Sequence, residues 1–225
     1  MQQASTLFNE EQRQQVEQAV HTAEGITSCE IVPVVATSSG RYDRPEDIVG
    51  LWLAAIAAAL VWYLLPRTLN ESGTWEGPSP LLQVPIILLA VVGSFLLGVV
   101  LATHTDWLRR LFTPRQQMLT EVSSRARETF FDKRIHHTQE ATGLLIYLSL
   151  FERLAVVLGD ETVMETVGQD FLDNLCGQLT AGMREGHPTE ALCSVIATAG
   201  EKMSGPLPRG DQDSNELHDT LVFLD

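Results

Sequence analysis

The stretch TGLLIYLSLFERLAVVLGD, residues 142–160, sets two apolar runs on either side of one charged pair, Glu152-Arg153, and closes on Gly159-Asp160. Residues 143–150 and 154–158 are short, almost unbroken apolar runs, the pattern of two strands joined by a tight charged elbow. Strands without polar alternation are buried on both faces, so helices are expected above and below the sheet. The fold class that follows is α/β, an αβα sandwich. The elbow itself admits two readings. Its acids are either a reaction centre or the turn between strands and the start of a helix.

Working outward, Thr162 is expected to begin a helix with Glu165 at the capping-box position and Val163, Val167, Phe171, Leu175 and Leu179 along one side. Pro188-Thr189 opens another, bearing Leu192, Val195, Ile196 and Ala199. Upstream, residues 115–137 carry Met118, Leu119, Val122, Ala126, Phe130 and Ile135 at helical spacing. Near the N-terminus, Asn9 and Gln12 form a capping-box pattern, Val16, Ala19, Val20 and Ala23 an apolar stripe, and Gly25 a stop. CEIVPVVA, residues 29–36, is rich in β-branched residues and reads as a strand. Pro33 lacks a ladder donor, which argues for an edge position or a bulge.

Two long apolar runs interrupt this order. Residues 49–65 carry no charge, and residues 81–102 hold only Gln83 and Ser94 as polar groups. Each is long enough to cross a hydrocarbon core of ~30 Å or slightly less. No ionisable residue lies in either, so the pair reads as an anchor rather than a transport path. Arg41, Arg44, Arg109, Arg110 and Arg115 flank it, whereas the connection at 66–80 holds one Arg and two Glu. Positive flanks stay cytoplasmic, so both termini are expected in the cytoplasm. Trp52, Trp62, Tyr63 and Trp107 lie where interfacial rings belong. DWLRRLF, residues 106–112, fits either an interfacial helix, with Trp107 in lipid and Arg109 and Arg110 at headgroups, or a plain continuation of the second span.

A hairpin returns the chain to the side it left. The strand at 29–36 has no partner before residue 143, so the halves must pair across the insertion. The expected organisation is residues 1–47 as the first part of one domain, 48–103 as the hairpin, 104–208 as the remainder, and 209–225 as an acidic tail. In that tail, residues 211–216 (DQDSNE) start like a calcium loop but lack the glycine and the final glutamate it requires, and residues 221–224 read as a short strand.

The formal charge is −14. Its only basic stretch, residues 104–134, is short, which excludes a nucleic-acid binder. Cys29, Cys176 and Cys193 form no metal-binding spacing and are expected as reduced thiols. The first residues have neither a basic nor an apolar leader region.

The run HHTQEATGLLIYLSLFERLAVVLGDETV, the EIVPVV strand before it and the ending NELHDTLVFLD together resemble the TPM domain family (TLP18.3/Psb32/MOLO-1), in its bacterial membrane branch with an internal two-span hairpin. The resemblance implies a compact TPM-like αβα sandwich. It also brings a phosphatase activity reported for plant members, an auxiliary role at a receptor for an animal member, and calcium binding suggested for some.

On the residues themselves, Glu152 and Asp160 lie at opposite ends of a strand pair, too far apart at ~3.3 Å per residue to share one metal or one proton transfer. Asp160 with Glu161 or Glu30 is the candidate Ca2+ set, though Asp160 also suits the N-terminus of the next helix. His136 and His137, adjacent before a strand, are expected to point apart. Architecture is the first reading of the elbow. The chain is expected to be a membrane-anchored module with the lipid bilayer and a protein as partners, more a binder than an enzyme. The alternative is a divalent-metal-dependent phosphatase acting on phosphate esters.

Overall fold

Four strands stand among the described residues of the computed structural model: β1 (Glu30–Ala36), β2 (Gly143–Ser149), β3 (Leu154–Gly159) and β4 (Val222–Leu224). They form one mixed sheet in the order β3-β2-β1-β4. The structure describes residues 3–42, 44–64, 80–138, 141–210, 217 and 219–225. Among these described residues nine α-helices accompany the strands: α1 (Ala4–Leu7), α2 (Glu10–Glu24), α3 (Arg44–Leu64), α4 (Pro80–His104), α5 (Asp106–Phe112), α6 (Arg115–Asp132), α7 (Glu161–Val167), α8 (Gln169–Glu185) and α9 (Pro188–Ser204). The chain divides into two units, Arg41–Pro114 and the residues before and after that stretch. The first helix of the inserted unit begins at Arg44, before the apolar run does, and α5 belongs with the same unit.

The α/β unit closes across the insertion as expected. β1 and β2 run parallel in the register Glu30↔Gly143 to Ala36↔Ser149, while β2 and β3 are antiparallel around the elbow. Side chains alternate between two cores. Ile31, Val35, Leu144, Ile146 and Leu148 face α2, α8 and α9, while Val32, Val34, Leu145 and Tyr147 face Val122, Ala126 and Phe130 of α6. Apolar residues on both faces explain why the strands lack polar alternation. Gly143 sits where any side chain would collide with the Ile135 carbonyl oxygen, which accounts for the glycine opening β2.

Pro33 lies in an interior strand, against the simplest edge expectation, yet its ring is tolerated for the anticipated reason. Among the described residues β4 pairs only with Val34, Val35 and Ala36, so there β1 is locally an edge at Pro33. On that same free side the Ile31 N–H donates to a side chain, Glu24, at 2.9 Å.

The helix expected from Thr162 is instead two. Asp160 caps α7, and Gly168, at φ +75, breaks the chain before α8. The break rotates the apolar stripe, so that Leu172, rather than Phe171, is fully buried with Leu175 and Leu179. Leu119 is likewise exposed on α6. The capping box of Asn9 and Gln12 is present in α2, and β4 realises the short terminal strand. Residues 211–216 and most of the 66–80 connection lie outside the described residues.

In the other unit, α3 and α4 are long and apolar enough to cross a membrane. They pack against each other through glycine. A Cβ on Gly98 would stand 2.7 Å from the Gly50 Cα, and one on Gly50 would meet the Phe95 ring at 2.9 Å. Small residues at a helix crossing let backbones approach closely where no hydrophobic effect drives association. Leu51, Trp52, Ile56 and Leu60 of α3 and Leu89, Leu96 and Leu97 of α4 are exposed.

Candidate functional site

β1 and β2 are parallel and end together, the place where open α/β sheets gather ligand-binding groups. The segment leaving β1, Thr37 to Gly40, meets the elbow that leaves β2. Glu152 is only 4 % exposed there, not solvated as a surface turn residue would be. The turn places it inward because Arg153 adopts the left-handed conformation, φ 55. Its Oε1 accepts from the Ser39 N–H at 2.9 Å, the Gly40 N–H at 3.3 Å and the Ser38 hydroxyl at 3.4 Å. Its Oε2 accepts from the Ser149 hydroxyl.

A hydroxyl chain extends from that carboxylate. Ser39 Oγ donates to Ser149 Oγ at 2.8 Å and stands 3.0 Å from the Tyr147 hydroxyl. With the Ser39 proton directed at Ser149, Tyr147 is left as the donor to Ser39. Burial pushes the Tyr147 hydroxyl above its ordinary range, so it remains a proton donor at neutral pH. Every bond in this chain points toward Glu152. A carboxyl group held by two N–H groups and the Ser149 hydroxyl braces its loop, and both of its oxygens are engaged. These bonds join the elbow to the loop after β1.

The opposite sheet end holds the expected calcium candidates. Glu30 pairs in register with Gly143, whose carbonyl accepts from the Asp160 N–H at 2.8 Å. Glu30 and Asp160 thus flank one central strand, about 10 Å apart at the backbone. Asp160 Oδ1 accepts from the Glu161 N–H at 2.9 Å, so that carboxylate serves the start of α7, and Glu161 is the first residue of that helix. Glu30 turns the other way, accepting from the Leu217 N–H at 3.3 Å. The structure does not bring Asp160, Glu161 and Glu30 together. Among the described residues, no three His, Cys, Asp or Glu side chains converge as a metal site. His136 and His137 lie on a short 3-10 turn, not an extended segment, with their rings stacked at 6.1 Å rather than pointing apart.

A different acidic group does form, and it was missed in the sequence. Glu24, at the end of α2, is 7 % exposed. Its Oε1 accepts from the Ile31 N–H, while Oε2 has no hydrogen-bond partner among the described residues as a carboxylate. Burial, with the charges of Glu30 and Asp219 beside it, raises its pKa to about 8. The retained proton turns the carboxyl into a donor toward Asp219, whose Oδ2 also lies 3.2 Å from His21 Nδ1. Arg209 reaches the Glu24 backbone carbonyl at 3.1 Å, which ties the chain after α9 to the same place. No periodicity announces this set, because Glu24 and Asp219 lie almost two hundred residues apart.

Of the expected membrane-interface residues, Trp107 is 63 % exposed and Arg110 is half-buried. Arg109 does not reach outward: its Nε lies 3.1 Å from Glu46 Oε1.

No family model matches the chain, and no curated protein matches it. Among solved structures the chain is similar to the NMR structure of BA42 protein from the psychrophilic bacterium Bizionia argentinensis, at 17 % identity and a TM-score of 0.57 over 99 % of both chains. At that identity the likeness concerns the fold.

Proposed function

We propose that this protein is a bacterial inner-membrane anchor with two spans and cytoplasmic termini, whose TPM-like αβα unit binds a protein partner at the bilayer. The observation that carries the reading is the outward apolar surface of α3 and α4. Their exposed leucines, isoleucines and Trp52 are left uncovered among the described residues and match the chemistry of acyl chains. The binding role is supported by the sheet-end network, where Glu152 and its hydroxyl neighbours brace one another and present a fixed loop at the edge where partners or ligands bind.

Two measurements on the full chain test it. Membrane fractions should retain the protein through alkaline carbonate and release it only to detergent. Crosslinking before solubilisation should then enrich the same protein reproducibly, relative to a chain carrying the hairpin alone. Release by carbonate would remove the anchor, and equal recovery from both baits would remove the binding role.

A further inference from the structure

α5 is not a continuation of α4. Thr105 stands between them in an extended conformation, φ −123 and ψ 94, and restarts the chain by accepting from the Leu108 and Arg109 N–H groups. The seven-residue helix then stays within the α3–α4 unit. An ion pair joins it to α3: Arg109 Nε lies 3.1 Å from Glu46 Oε1 near the start of that helix, and Glu46 Oε2 accepts from the Thr103 hydroxyl of α4 at 3.2 Å. Glu46 therefore ties the feet of all three helices together. With Arg109 held inward, Trp107 and Leu111, four residues apart and hence on one face, are 63 % and 64 % exposed.

We infer that α5 lies flat in the lipid interface, with Trp107 and Leu111 inserted at the boundary of headgroups and acyl chains, and that the Glu46–Arg109 pair is the clamp that sets this pose. The inference rests on the membrane reading of α3 and α4, whose exposed apolar surfaces α5 continues in the same unit. A tryptophan and a leucine presented together on a short helix suit that boundary, the first for its amphipathic ring and the second for its aliphatic bulk. Charge has little part in it. Residues 41–47 and 103–112 hold four arginines against four acids, so the foot of the hairpin is neutral by count. The occupant is the apolar boundary of the leaflet, and anionic headgroups are not required.

The test uses the full chain in phosphatidylcholine vesicles, with one tryptophan kept at a time by Trp→Phe substitution of the other three. Lipids carrying a quencher at a shallow or a deep acyl position report the depth of each ring. Trp107 should be quenched about two-fold or more strongly by the shallow label, be shielded from aqueous iodide, and respond equally when phosphatidylglycerol is added. Trp62, kept alone, reports the span itself. Trp107 open to iodide while Trp62 is quenched by lipid overturns the α5 pose and leaves the hairpin standing. If Trp62 too is untouched by lipid, the membrane reading is what fails. Strong dependence of Trp107 depth on phosphatidylglycerol overturns the apolar mode of attachment. In Glu46→Gln, shallow quenching of Trp107 should fall about two-fold with Trp62 unchanged. No change there removes the clamp.

Discussion

The α/β unit buries glutamates at both ends of its sheet and treats Glu152 and Glu24 in opposite ways. Glu152, beyond the carboxyl ends of β1 and β2, accepts from two backbone N–H groups and two hydroxyls. Glu24, beside the start of β1, has a single backbone donor on one oxygen, and the charges of Glu30 and Asp219 act against its ionisation. Burial alone does not decide what a carboxyl does. The groups around it decide whether it is held as an acceptor, as Glu152 is, or keeps its proton, as Glu24 does.

The largest expected effect is on the donor-rich side. Glu152→Ala leaves the Ser39 and Gly40 N–H groups and the Ser149 hydroxyl without their acceptor inside a buried site, and should lower unfolding stability by about 3–4 kcal/mol. Glu152→Gln keeps an acceptor oxygen and should lose roughly half of that. Denaturant unfolding of the full chain in detergent, followed by near-UV circular dichroism, gives both values. Equal, small losses for the two variants would show that the buried charge braces nothing.

Glu24 should behave in the reverse sense. Its folded pKa, about 8, lies above the ordinary value of 4.5. Below pH 4.5 the carboxyl is protonated both folded and unfolded, and stability is at its full value. Between 4.5 and 8 the unfolded chain loses the proton while the folded one keeps it, so stability falls as pH rises. Glu24→Gln keeps an acceptor for the Ile31 N–H and an N–H donor for Asp219, and it cannot ionise. The variant should flatten this slope and gain on the order of 1–3 kcal/mol at pH 8 relative to the parent. A parent whose stability is flat from pH 5 to 8 would place Glu24 with Glu152, as a carboxylate that has found donors.

The two ends were unequally legible in the sequence. The strands, their pairing across the insertion and the apolar character of α3 and α4 follow from local pattern, because a strand covered on both faces has no polar alternation to hide it. The position of the elbow was legible too, but its inward turn was not. A charged pair in a tight turn ordinarily faces water, and only the loop after β1, more than a hundred residues earlier, supplies donors that draw Glu152 in. Gly168 was overlooked as a helix break because the stripe on either side of it keeps nearly the same period. The acids of the other end were read as neighbours along the chain, Asp160 with Glu161. In the fold, Glu24 and Asp219 meet beside Glu30 through tertiary packing that spacing does not encode.

Smaller effects separate the brace from its extensions. Tyr147→Phe removes the outermost donor of the hydroxyl chain and leaves the ring in its core among Val122 and Ala126. Ser39 still donates to Ser149, so the loss should be about 0.5–1.5 kcal/mol, well under that of Glu152→Ala. A loss as large as that of Glu152→Ala would make the whole chain of hydroxyls one cooperative unit, and the same unfolding experiment decides it.

The last and smallest effect concerns the partner that helps hold a proton on Glu24. Asp219 contributes to the raised pKa after burial and after Glu30, so neutralising it removes one contribution and leaves the main one. Asp219→Asn should therefore lower the upper limit of the pH window, now at about 8, without abolishing the fall in stability above pH 4.5. The substitution also frees His21 from its carboxylate contact at 3.2 Å, and His21 is largely exposed, so the cost of that loss is expected to be within about 0.5 kcal/mol. If the window closes completely in Asp219→Asn, then the neighbouring charge rather than burial holds the proton. The contrast between the two sheet ends would then be one of charge pairing, and no longer one of donors offered and withheld.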